Sequence, residues 1–313
     1  MYLGIEIGGT KLQLGLGPGD GTLLALQRDQ VEPSHGADGI RRQITYAVPK
    51  LLAHAKIDRS LLQRVGIGFG GPVDDATQSV IKSHQIDGWD DFPLAKWIGD
   101  LLGLPAVLGN DADVAGLGEA LFGAGKGLSP IFYITIGSGI GGGLIIDGKI
   151  HRGTGRGAAE IGHLRIGPHK IILEEFASGW SIEAEARRLG PTHGQEASPQ
   201  LKEMIQNDWQ KITARHLAVA AANDDPFAWS ILLPAWQALA EAICQVIALV
   251  CPRRFVIGGG VSLMGEKALF EPLRRLVAER VFIPFANCYD IVPAALGEEV
   301  VVHGALALAH AAG

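Results

Sequence analysis

Two stretches decide how this chain folds: Ile5 to Leu16, which reads IEIGGTKLQLGL, and Ile134 to Ile145, which reads ITIGSGIGGGLI. Each is a β-prone run, a glycine turn and a second β-prone run, and each is followed by an Asp-Gly turn, Asp20-Gly21 and Asp147-Gly148. Aligned on Ile7 and Ile136, the copies stand 129 residues apart in a chain of 313. A repeat at that spacing implies a duplicated fold.

Outward from the first copy, Thr22 to Arg28 extends an antiparallel meander. Ile40, Ile44, Val48, Leu51 and Leu52 then fall at helical spacing across Gly39 to Ala55. Arg64 to Phe69 returns to a strand, Pro93 to Leu102 is helical, and Ala106 to Leu108 is a short strand ending at Gly109-Asn110-Asp111. The first half is therefore βββαβαβ. In the second half, Gly137 to Gly143 is expected as one glycine turn and Leu144 to Ile146 as the strand after it. Pro191 to Gln200 is expected as a surface loop, and Leu232 to Val250 as one face of a long helix ahead of strand Arg254 to Ile257.

Composition narrows the function. Apolar residues at 47% with charged residues at 19% describe a packed globular chain and exclude extended disorder. A formal charge of −6 offers no long-range attraction to nucleic acid or anionic lipid. The apolar stretches Ile131 to Ile146 and Ala238 to Cys251 fall short of the roughly 20 residues of a membrane span, so none is expected. The chain opens as MYLGIEIGG without the marks of a signal peptide. Cys244, Cys251 and Cys288 include no CxxC pair, which fits a reducing cytoplasm.

The 43 glycines cluster where β-prone runs end, at Gly8-Gly9, Gly70-Gly71, Gly137-Ser138-Gly139 and Gly258-Gly259-Gly260. Gly137, Gly139 and Gly142 satisfy GxGxxG, but a dinucleotide fingerprint needs a helix next, and Leu144 to Gly148 continues as strand and hairpin. The run Gly123 to Gly127 lacks the first glycine and the Ser or Thr of a P-loop and reads as a turn. A tight turn explains any single cluster. Several together suit backbone N–H groups approaching phosphate, with Thr10, Lys11 and Ser138 adding hydroxyls and a countercharge. Glu6 is either a solvated strand residue or a holder of the water shell around a phosphate-bound Mg²⁺. Asp111 is either the N-cap of the next helix or a general base. Glu160, His163 and Glu174 lack a complete zinc-ligand set, and with Asn110 and Asp111 they offer the amide, carboxylates and imidazole that hold sugar hydroxyls.

With these residues in view, the sequence resembles the ROK family of sugar kinases and repressors, within the actin-like, hexokinase-type superfamily of duplicated ribonuclease-H-like halves. The resemblance covers nearly the whole chain. It rests on Gly4 to Lys11 (GIEIGGTK), Gly70-Gly71-Pro72, Gly109 to Ala112 (GNDA), Thr135 to Gly143 (TIGSGIGGG), Gly157 to His163 (GAAEIGH) and Val256 to Val261 (VIGGGV). It implies an α/β fold of two domains with an interdomain cleft: residues 1–112, with helix 299–313 packing back on them, and a larger domain 113–298. It implies phosphorylation of a hexose by ATP with Mg²⁺, at the 6-hydroxyl, with Asp111 as the base. Gly71, Gln85, Asn110, Glu160, His163 and Glu174 would bind sugar. Glu6, Gly8, Gly9, Thr10, Lys11, Gly137, Ser138, Gly139, Gly258, Gly259 and Gly260 would bind nucleotide. The implied assembly is a cytoplasmic homodimer with no nucleic-acid or membrane partner.

The sequence departs from the family pattern mildly at Glu6, where Asp is commoner, and more strongly in two places. Between His163 and Glu174 the usual CxCGxxGC zinc loop is replaced by the shorter, cysteine-free LRIGPHKIIL. A zinc-free protein is therefore expected, its segment held by packing of Ile171, Ile172 and Leu173. Gln85 stands where the family commonly has a sugar-binding Asn, and one methylene moves an amide by more than a hydrogen bond tolerates, so either the preferred sugar differs from glucose or His84 or Asp87 compensates. The rival reading is a non-catalytic sugar-sensing or regulatory protein. With a strand beginning almost at Met1, no helix-turn-helix is expected before it.

Overall fold

The computed structural model describes residues 1–83 and 85–312, so His84 lies outside the described residues. The strands are β1 (Tyr2–Ile7), β2 (Lys11–Gly17), β3 (Ala25–Gln30), β4 (Arg64–Phe69), β5 (Val73–Asp74), β6 (Ser79–Val80), β7 (Ala106–Asn110), β8 (Ile131–Ile136), β9 (Ile140–Ile146), β10 (Lys149–Ile150), β11 (Arg165–Ile166), β12 (Ile171–Ile172), β13 (Arg254–Gly258) and β14 (Asp290–Pro293). The helices are α1 (Gly36–Ala55), α2 (Leu94–Leu102), α3 (Asp111–Phe122), α4 (Leu173–Ala177), α5 (Gly179–His193), α6 (Pro199–Met204), α7 (Ala214–Ala222), α8 (Pro226–Val250), α9 (Glu271–Ala278) and α10 (Val300–Ala311).

Two five-stranded sheets run in the orders β3-β2-β1-β4-β7 and β10-β9-β8-β13-β14. In each, the first three strands of the half stand in reverse order beside two later ones, so the repeat read from sequence is a repeat of topology.

The chain forms two compact units. One comprises Met1–Tyr133, Gly143–Ala159 and Ala295–Gly313, the other Ile134–Gly142 and Glu160–Ala294. The first unit thus keeps α3, which the expected boundary at residue 112 would have cut away, because α3 packs along α10.

In the first unit β1 pairs antiparallel with β2 and parallel with β4, and β4 pairs parallel with β7. Ile7 stands opposite Phe69, and Phe69 opposite Asn110, so the three parallel strands end level. The next residues, Gly8, Gly70 and Asp111, leave the sheet side by side. That is the edge at which parallel α/β sheets bind ligands.

Helix α10 lies on β1, β4 and α3 at backbone contact distance. A Cβ on Gly66 would overlap the Ala305 carbonyl, and one on Gly304 would overlap the Val114 carbonyl. Many of the glycines therefore admit this apolar helix instead of approaching a ligand. Gly143 is of the same kind: its Cβ would sit 2.8 Å from the Ala112 carbonyl. This corrects the expected turn at Gly137 to Gly143, since β9 already begins at Ile140.

In the second unit, Pro191 to Gln200 is not a loop. Helix α5 continues to His193 with Pro191 inside it, and α6 starts at Pro199. The Trp209 ring packs where Gly190 and Gly194 would carry Cβ atoms, which holds the segment down. Helix α8 has 25 residues, longer than its apolar face suggested, and by length and composition it is long and apolar enough to cross a membrane. In this fold 61% of its most apolar window is buried, and the Trp236 indole N–H donates to the Ala268 carbonyl at 2.9 Å, as in a core helix.

Candidate active site

Asn110, not Asp111, caps α3. Its Oδ1 accepts from the Ala112 and Asp113 amides at 2.9 and 3.3 Å, while its Nδ2 donates to the Gly71 carbonyl at 3.1 Å. One side chain therefore joins the end of β7, the start of α3 and the loop after β4, and Asp111 is placed on the first helical turn. Asp111 Oδ1 accepts from the Ala112 amide at 2.8 Å. Its Oδ2 lies 3.4 Å from the position a Cβ on Gly70 would take, and that position is 3.4 Å from the Ile7 carbonyl and 3.5 Å from Gly8 Cα. The Gly70 amide donates to the Ile7 carbonyl at 2.8 Å. A carboxylate and the first glycine turn are thus gathered around Gly70, which has no side chain to separate them.

The turn itself is closed by the Gly8 amide donating to the Lys11 carbonyl at 3.0 Å, with Thr10 exposed at its tip. Lys11 Nζ pairs with Glu6 Oε1 at 2.9 Å, and Gln13 Nε2 donates to Glu6 Oε2 at 2.7 Å. Glu6 is 5% exposed, and this burial raises its carboxyl above the ordinary value against the pull of Lys11. Both Glu6 oxygens are thus engaged by side chains of the same strand pair. The network extends from Gln13 Nε2 to the Glu298 carbonyl at 2.8 Å and, through Arg28, to Gln13 Oε1 at 3.0 Å and the Glu299 carboxylate. Sequence reasoning missed Gln13, although a lone amide in an otherwise apolar strand was a signal. Glu298 and Glu299 gave none.

Gly71 makes a close approach too, its Cβ position lying 2.8 Å from the Lys82 carbonyl. The Gln85 side chain lies over Gly9, where a Cβ would overlap its Oε1 and fall 2.7 Å from its Cδ.

In the second unit, the Gly137 amide donates to the Gly139 carbonyl at 2.9 Å, and the Gly179 amide at the start of α5 donates to the Gly137 carbonyl at 2.8 Å. Ser138 sits at the tip. Glu174 reaches this turn from α4, its Oε2 accepting from the Ile140 amide at 2.7 Å and filling the space beside Gly139. Glu160 and His163 flank a short turn in which the His163 amide donates to the Glu160 carbonyl at 3.1 Å. Burial raises the Glu160 carboxyl, with His163 opposing and Glu174 adding to the rise, so both side chains stand near enough to act on Glu160.

Between His163 and Glu174 the chain forms a hairpin, with Arg165 opposite Ile172 and Ile166 opposite Ile171. The Leu173 amide donates to the Leu164 carbonyl at 3.0 Å to close it, and Glu241 of α8 accepts from the Gly167 amide at 3.0 Å. Ile171 is 40% exposed, so packing rests on Ile166 and Leu173 rather than on Ile171. Among the described residues no group of three or more His, Cys, Asp or Glu could hold a metal ion.

Gly258 ends β13. Gly259 has φ +81° and a Cβ position 2.5 Å from the Ile136 carbonyl, a left-handed and crowded place that demands glycine. Gly260 opens on a cavity of about 470 Å³ lined by Ala214, Arg215, Ala218 and Val219 of α7 with Leu263 and Met264. The small residues on this face of α7 were not singled out from sequence. They give the cavity a largely apolar lining with one guanidinium, that of Arg215, beside it.

The family model for ROK proteins matches residues 2–312. The chain belongs to the ROK family. Among curated relatives, the glucokinase of Thermotoga maritima is 31% identical over 314 residues, covering 98% of this chain and 96% of the relative. A putative fructokinase of Bacillus subtilis is 30% identical, covering 100% and 96%. Among solved structures, a ROK family glucokinase from Streptomyces griseus in complex with glucose and AMPPNP superposes with a TM-score of 0.81 at 30% identity over 99% of both chains. The ROK membership accounts for the duplicated α/β sheets, which are those of the actin-like ATPase fold.

Proposed function

We propose that this ROK sugar kinase transfers the γ-phosphoryl group of ATP to the 6-hydroxyl of a hexose, with Asp111 as general base. The observation that carries the reading is the meeting of Asp111 and the Gly8-Gly9 turn around Gly70 at the level ends of three parallel strands. ATP use is supported by the AMPPNP held in the Streptomyces griseus relative.

In the reaction the sugar O6 forms a bond to the γ-phosphorus as the bond from phosphorus to the β–γ bridging oxygen breaks. The O6 proton passes to the Asp111 carboxylate, leaving ADP and a hexose 6-phosphate. In-line transfer asks the protein chiefly for positioning and charge neutralisation. Asn110 supplies the first by tying Asp111's helix to Gly71. The Gly8-Gly9 turn and the Gly137-Ser138-Gly139 turn are assigned to phosphate, and Gly258 to Gly260 to adenosine. Glu160 and His163 are assigned to sugar hydroxyls, and Glu174 to the second turn as well, where it already engages Ile140. Magnesium would arrive on the nucleotide phosphates, where it needs few protein ligands.

Relatives that carry the names glucokinase and fructokinase leave the sugar to be assigned here. The test is ADP release by the purified protein with glucose, mannose, fructose, N-acetylglucosamine, N-acetylmannosamine and allose. One sugar should release ADP stoichiometrically with its own phosphorylation. Gln85 lying over Gly9 and Lys11 paired to Glu6 favour a second reading, a sugar-sensing protein without turnover. Sugar binding with no ADP release from any of the six would establish that reading and remove the first.

A further inference from the structure

Strands β13 and β14 run parallel, with Arg254 opposite Asp290. The Asp290 amide donates to the Arg253 carbonyl at 3.2 Å, and the Arg254 guanidinium grips the Asp290 carboxylate at 2.7 and 2.6 Å. The two segments are therefore locked side by side where they join the sheet. Cys251 lies three residues before Arg254 and Cys288 two residues before Asp290. Each follows or forms a sharp bend: Cys251 ends α8 with φ +45°, and Asn287 has φ +66°. Arg253 Nη1 also donates to the Cys288 carbonyl at 3.4 Å, holding the two approach segments together.

The two bends thus lie on adjoining segments, and Cys288 is near enough to add to the rise that burial gives the Cys251 thiol, while Cys288 Sγ lies 4.0 Å from the Pro284 carbonyl. The parallel strands that these segments enter stand about 4.8 Å apart, and in their register Cys288 falls level with Pro252, next to Cys251, which puts the pair on the scale of the roughly 4.4–6.8 Å Cα separation of a disulfide. Both cysteines are partly exposed, within reach of a small solute. Cys244, two turns earlier on α8, directs its sulfur instead to the Val277 carbonyl at 3.7 Å.

We propose that Cys251 and Cys288 form a reversible dithiol–disulfide site, oxidised by low-molecular-weight disulfides such as oxidised glutathione. The Cys288 thiolate attacks one sulfur of the small disulfide and releases one thiol. The Cys251 thiolate then attacks the Cys288 sulfur of the mixed disulfide and releases the second. The two protein thiols are oxidised and the small disulfide is reduced to two thiols, with no other reactant needed. Burial, ahead of the neighbouring sulfur, pushes the Cys251 thiol up, which suits it to the second, intramolecular step, where proximity replaces a high thiolate fraction. In a reducing compartment the pair stays as thiols and closes only when the poise shifts.

The experiment incubates the native full-length protein with oxidised glutathione, then counts free thiols and maps disulfide-linked peptides by mass spectrometry under non-reducing conditions. The count should fall from three to one, with Cys251 linked to Cys288 in a monomeric chain, and dithiothreitol should restore all three. Cys244→Ser should keep the cross-link. Cys251→Ser should replace it by a stable glutathione adduct on Cys288. Three free thiols after treatment, a cross-link through Cys244, or adducts on both Cys251 and Cys288 that never resolve would each overturn the proposal.

Discussion

The Gln85 amide covers Gly9: the space a side chain at Gly9 would need is filled by Gln85 Oε1, Cδ and Cβ. The residue expected at a sugar-binding position therefore lies on the turn assigned to phosphate. In this arrangement a phosphate reaching Gly9 must move it.

Gln85→Ala is accordingly expected to bind AMPPNP more tightly in the absence of sugar. The gain should be about fivefold, roughly 1 kcal/mol for a side chain that no longer has to be moved off the turn. Isothermal titration of wild type and variant measures it. Equal affinities would mean that Gln85 does not compete with nucleotide.

Asn110→Ala removes an N-cap and the link to Gly71 together. The expected cost is about 1–2 kcal/mol of stability, read as a lower urea midpoint at unchanged slope, with kcat falling because Asp111 loses its anchor. Asn110→Asp keeps the cap oxygen but not the donor to Gly71, so it should recover most of the stability and little of the turnover. Full recovery of both would assign Asn110 to capping alone.

Glu6 gives a pH signature. Its folded-state carboxyl is raised above the ordinary 4.5, so the folded protein holds this proton more tightly than the unfolded chain does. The contribution is complete below pH 4.5 and is lost as pH rises through the folded value. Glu6→Gln, which mimics the protonated form, should match wild type near pH 4 and become relatively more stable toward pH 8. Thermal unfolding across that range checks it, and a wild-type advantage that grows with pH would show that the Lys11 pair outweighs burial.

The hairpin β11–β12 stands where the family resemblance places a zinc loop, and it is closed by backbone pairing and by Glu241. Protein purified without chelator should carry zinc far below one equivalent by elemental analysis, and a chelator should leave its unfolding midpoint unchanged. Stoichiometric zinc would contradict this.

The duplicated strand–turn–strand was legible because two copies of one pattern constrain each other, and β4 and β8 fall where alternation and β-branching put them. Glycine was the ambiguous letter. Gly8 and Gly137 close turns, whereas Gly66, Gly143 and Gly304 clear space for a neighbouring helix, and no local pattern separates the two uses. The cap at Asn110 was one residue from the one considered, a shift that changes Asp111 from a structural oxygen to a first-turn carboxylate beside Gly70. The Glu6–Lys11–Gln13–Glu298 network joins residues nearly the whole chain apart, so only the folded sheet brings it together.

Single-turnover phosphoryl transfer by Asp111→Asn, measured beside calorimetric sugar binding by the same sample, tests the kinase account most directly. The account predicts a rate about 10²–10⁴ lower with sugar affinity within about twofold of wild type. An undiminished rate would contradict it.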